Sequence, residues 1–96
     1  MNVNKHLDLL GRRVEDKVTG FKGVVASISF DLYGCVQALV NPGADKNGKL
    51  QEQNYFDVPR LIVSKAAPVM DRPNFEYGID AEGKKGAAEK PLQSKA

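Results

Sequence analysis

The run Val14-Glu15-Asp16-Lys17-Val18-Thr19-Gly20-Phe21-Lys22-Gly23-Val24-Val25-Ala26-Ser27-Ile28 constrains the fold most, because it reads as strand, glycine-bracketed turn, strand. Gly20 and Gly23 supply the positive-φ or close-approach positions that a sharp reversal needs. The β-branched residues on either side suit a pleated, half-buried surface. A small β-barrel is expected to begin here.

The rest of the chain extends that pattern. Asn4 to Leu10 predicts one or two helical turns, with Asn4 as N-cap, Leu7 and Leu10 on one side and Gly11 just past the end. Arg12 to Val18 alternates as a first strand, with Val14, Asp16 and Val18 on one face and Arg13, Glu15 and Lys17 on the other. In the second strand Val24, Ala26, Ile28 and Phe30 should share a face opposed by Val25, Ser27 and Ser29. Asp31-Leu32-Tyr33-Gly34 predicts a hairpin loop, and Cys35 to Asn41 a third strand. Asn47-Gly48 marks a tight reversal inside a longer loop, and a fourth strand is expected from Leu50 to Phe56. Asp57-Val58-Pro59-Arg60 predicts one short helical turn, Asp57 capping it, before Leu61 to Ser64 closes the sheet as a fifth strand. This order is that of an all-β, SH3-like barrel of about five strands, with a short N-terminal helical turn and an extended C-terminal tail.

The 96 residues set the domain limits. Residues 1–64 are expected to form the barrel. From Lys65 the chain turns rich in Ala, Gly, Pro and Lys, so 65–96 reads as an extended or disordered tail. Within it, Val69, Met70, Phe75, Tyr77 and Ile79 are more apolar than a linker needs, which suggests that 66–80 dock on a neighbouring subunit of a homo-oligomer. The net charge of +2 is evenly spread, and duplex nucleic-acid binders ordinarily show a clustered basic face, so a nucleic-acid partner is not favoured. The single cysteine, Cys35, excludes an internal disulfide. With no signal-peptide pattern or membrane-length apolar run, the expected compartment is the cytoplasm, without a membrane partner.

No catalytic, metal-binding or cofactor constellation is present in the sequence, and no enzyme activity or cofactor is expected. Cys35 lacks a histidine partner in the sequence pattern, so a small core hydrophobe is the expected role for it. Asp16 lies between Val14 and Val18 on an apolar face, where an unpaired carboxylate is costly. A partner is therefore expected, from Arg60 or from a backbone N–H of the Gly20 turn. Phe21, Tyr33 and Tyr55, joined by Lys22, Gln37 and Arg60, form the candidate ligand-binding set: a lining that would stack and hydrogen-bond a base or nucleotide. The plainer alternative has the three aromatics capping the ends of the barrel.

The stretch Lys17 to Ile28 resembles the KOW motif of ribosomal and transcription proteins, in which a glycine-bounded turn leads into an apolar strand. More of the chain, from Leu10 to Val63, resembles short uncharacterised proteins of bacteriophages, prophages and other mobile elements. The pieces that carry this are Asp16 to Gly23, Tyr33-Gly34-Cys35-Val36-Gln37, Gly48-Lys49 and Phe56 to Leu61. The resemblance implies an SH3-like fold and a viral or mobile-element origin, and brings no active site. The expected function is a non-enzymatic accessory binding protein, homo-oligomeric, that captures a host signalling nucleotide or another small molecule. The alternatives are KOW-like nucleic-acid binding through Arg12, Lys17 and Lys22, or a minor structural role in a virion.

Overall fold

The computed structural model describes residues 3–75. A one-turn helix α1 (Val3–Leu7) is followed by five strands: β1 (Arg13–Asp16), β2 (Lys22–Phe30), β3 (Val36–Asn41), β4 (Asn54–Asp57) and β5 (Leu61–Val63). A 3-10 turn, Val58–Arg60, links the last two. All pairings are antiparallel, and the sheet order is β4-β3-β2-β1-β5.

One core serves all five strands. Val14, Val25, Ala38, Val40, Phe56 and Leu61 form a single buried cluster, with Leu9, Leu10, Phe21, Ile28 and Val58 packed at its margin. Phe56 and Leu61 come from the two opposite edges of the sheet, and they meet in one cluster only because the sheet bends round it. The expected all-β order is therefore present as a curled sheet. Among the described residues no ladder joins β4 to β5, and the 3-10 turn spans that gap instead.

The alternation expected for β2 is wrong over its first half. Val25 pairs with Val40 and Ser27 with Leu39, so Ala26 is an extra residue and the strand bulges there. The bulge shifts the two-residue period by one. Val25, rather than Val24, faces the core; Ala26 is exposed; and Ile28 regains the core side. An alanine fits either face, which is why the pattern did not betray the shift.

Several expected boundaries also change. The helix stops at Leu7, and Asn4 lies inside it rather than capping it. β1 ends at Asp16, leaving Val18 73% exposed in the turn instead of in the core. β4 starts only at Asn54: Leu50 makes a lone bridge to Ala44, the Gln51 N–H donates to the Gly43 carbonyl at 2.9 Å, and no ladder continues from there to Asn54. Cys35 precedes β3 and is exposed, so it is not a core hydrophobe. Asp57 occupies the N-cap position without capping; its carboxylate instead accepts a hydrogen bond from Gln37 Nε2 at 3.1 Å.

The first part of the tail returns to its own chain. The Val69 N–H donates to the Gly11 carbonyl at 2.8 Å, and Arg72 pairs with Asp8 at 2.8 Å and donates to Asn4 Oδ1. Gly11, at φ +84°, is buried beneath this strap, and a Cβ there would meet the Met70 carbonyl oxygen at 2.6 Å. The backbone is held while the side chains of Val69, Met70 and Phe75 stay exposed. Tyr77, Ile79 and the rest of the tail lie outside the described residues.

Candidate functional site

Asp16 is fully buried and has the partners its position demanded. Arg60 donates through Nε to Oδ1 at 2.8 Å and through Nη2 to Oδ2 at 2.6 Å. The Thr19 hydroxyl and backbone N–H both donate to Oδ2, at 2.6 and 3.0 Å. Arg60 holds the carboxyl well below the usual carboxylate range, burial opposes this, and Thr19 adds to the lowering. The same guanidinium lies over the Phe56 ring at 5.3 Å, and Phe56 packs on Phe21 at 5.2 Å between ring centres. This cluster ties the β1–β2 turn to the 3-10 turn, and its chemistry is consumed by the fold.

The six candidate ligand residues are not gathered into one lining. Phe21 and Arg60 belong to the buried anchor. Gln37 and Tyr55 sit on the outer face of the sheet, since the residues that follow them along their strands, Ala38 and Phe56, face the core. Tyr33 is 88% exposed at the β2–β3 loop. Lys22 lines a cleft on the outer face of β1, β2 and β5. Arg12, assigned to phosphate contact in the KOW-like alternative, is half-buried and donates from Nη2 to the Ser64 carbonyl at 2.8 Å.

The β2–β3 loop and the loop after Ala44 are built alike. In each, an aspartate Oδ1 accepts two backbone N–H groups: Asp31 from Tyr33 and Cys35, Asp45 from Asn47 and Lys49. Each has a positive-φ glycine four residues into the turn, Gly34 at 91° and Gly48 at 83°. The Asp-x-x-Gly repeat was present in the sequence as a signal. In the first loop it holds Leu32 and Tyr33 out in solvent. Cys35 stands beside Asp31, whose charge raises the thiol above its ordinary value, with partial desolvation and Asp57 adding to the effect.

The site that the residue pattern missed is a shallow cleft of about 590 Å³ over the outer face of β1, β2 and β5. Val14 faces the core, so Arg13 and Glu15 must face outward. Register then places Val24 beside Arg13, and Lys22 and Ile62 on either side of Glu15, while Asn41 lies next to Val24. The volume is within the roughly 300–1,000 Å³ of small-molecule sites. Among the described residues no group of three or more His, Cys, Asp or Glu is placed to hold a metal ion. No protein-family model matches the chain, and no curated protein or solved structure matches it.

Proposed function

We propose that the chain is a non-enzymatic binding module that works as a homo-oligomer in the cytoplasm, of phage or mobile-element origin as its sequence resemblance suggests. One observation carries the oligomer. Among the described residues six apolar side chains are buried, four of them Val or Ala, while twelve large apolar side chains are exposed. A core this small leaves a domain of this size short of stabilisation, and association with further copies is a common remedy where no internal disulfide is available. Leu32 and Tyr33 are the most exposed of the twelve, at 89% and 88%. Their loop is pinned by Asp31, so little ordering entropy is lost when they dock.

The non-enzymatic assignment rests on how the reactive groups are used. The charge of Asp31 disfavours the Cys35 thiolate, and the buried carboxylate of Asp16 is committed to Arg60 and Thr19. No helix of the described residues is long and apolar enough to cross a membrane.

Native mass spectrometry of the full chain tests the oligomer. The expected mass is an integral multiple of 10.5 kDa, shifted toward the single chain by Leu32→Ser combined with Tyr33→Ser. A wild-type protein that stays a single chain at micromolar concentration rejects this function.

A further inference from the structure

We propose that the cleft over β1, β2 and β5 is a binding site for a phosphate-bearing small molecule of mononucleotide size. The argument begins with which hydrogen-bonding groups are spoken for. Among the described residues the side chains of Arg13, Glu15 and Lys22 have no hydrogen bond or ion pair, although Glu15 and Lys22 are cross-strand neighbours. The Asn41 Oδ1 accepts from the Gly43 N–H at 2.8 Å, which leaves its amide N–H groups to donate. The Ser64 Oγ accepts from the Ala66 N–H at 3.1 Å, which leaves the hydroxyl proton.

The cleft is therefore rich in donors. Two cations, an amide and a hydroxyl border it, against the single acceptor group of Glu15. Such a set suits an anion with several oxygens, and a guanidinium beside an ammonium is the pairing that binds phosphate well. The floor is different. Val24 and Ile62 stand on the same outer face, and Ile62 is 55% exposed, offering an apolar bed for a flat ring. Glu15 lies between Lys22 and Ile62, where it accepts from an amine of a base or a ribose hydroxyl. Phosphate, sugar and ring thus each find a complementary group in a space of suitable volume.

A mononucleotide and a nucleic-acid backbone share the phosphate chemistry, and the structure favours the former. The cationic groups of the cleft are only two, and the overall charge is close to balanced.

Calorimetric titration of the full chain with AMP, GMP, inorganic phosphate and a single-stranded oligonucleotide tests the assignment. At least one mononucleotide should bind more tightly than phosphate alone. Arg13→Gln and Lys22→Gln should each weaken it at least about tenfold, with circular dichroism unchanged because both positions lie on the outer surface. Absence of binding by both mononucleotides overturns the proposal, as does affinity indifferent to both substitutions. Binding of the oligonucleotide alone, with affinity falling steeply as salt rises, also overturns it and assigns the cations to a nucleic-acid backbone. The oligomeric mass is read separately, so failure here leaves the preceding proposal standing.

Discussion

Asp16→Ala is expected to lower the thermal midpoint by roughly 15 °C or more, the largest effect of any single side-chain truncation in the sheet. The carboxylate is fully buried, and its two oxygens accept four hydrogen bonds, two from Arg60 and two from Thr19. Truncation removes the acceptor of all four bonds, opens a void at a fully buried position and unties the Thr19 turn from the half-exposed Arg60 guanidinium. Asp16→Asn should be milder, since one carbonyl oxygen still accepts. The pair need not be strongly stabilising in itself, because desolvation offsets much of its attraction. Accordingly Asp16→Leu with Arg60→Met should recover a large part of what either single change loses. Additive losses in that double-mutant cycle would show that the two side chains act independently.

The same carboxyl gives the fold a pH signature. Its folded value lies well below the ordinary 3.8, through the Arg60 hydrogen bond first, with burial opposing and Thr19 assisting. A carboxyl depressed on folding binds fewer protons in the native state, so its contribution is complete above the unfolded value. It is lost progressively as pH falls from about 4 toward the folded value. The urea midpoint should therefore drop between pH 6 and pH 3, and Arg60→Met should flatten that drop. An identical slope in the variant would mean that other carboxyls govern the acid limb.

Asp16 is legible in the sequence because charge interrupts an apolar face, and of the two expected sources of a partner, Arg60 or a backbone N–H of the Gly20 turn, both contribute: Arg60 from 44 residues away and the Thr19 N–H. Strand order followed from local turn chemistry: Gly20, Gly34 and Gly48 all carry the positive φ that the turns demand. What failed was phase and gathering. The bulge at Ala26 is invisible because alanine fits either side of a sheet. Aromatics near loops looked like one lining, but sequence does not say at which end of the sheet each loop emerges. Tyr33 and Phe21 consequently fall in different surroundings, one in solvent and one on Phe56. The cleft was hidden for a related reason. The alternation of the first strand puts Arg13 and Glu15 on one face, with Lys17, while Ile62, Lys22 and Asn41 join Arg13 and Glu15 only through non-local register.

Gly23→Ala is expected to cost about 2–3 kcal/mol, and Gly20→Ala only about 1 kcal/mol, although the two glycines bracket the same turn. Gly20 needs its freedom of φ, at +79°, and a Cβ there meets open space. Gly23 needs its missing Cβ. It lies opposite Val14 on the core side of β2, where a methyl group would run into the Asn41 carbonyl group, its carbon only 2.7 Å away, and would stand 2.9 Å from Val40 Cγ1. A valine methyl yields to a rotamer change, but the carbonyl of a paired strand moves only with its ladder. Chemical denaturation of the two variants measures the contrast, and equal losses would assign both positions to turn conformation. Adding Val40→Ala separates the two obstacles at Gly23. If the backbone is the barrier, the Val40 cavity loss simply adds to that of Gly23→Ala; recovery in the double variant would instead make the valine the obstacle.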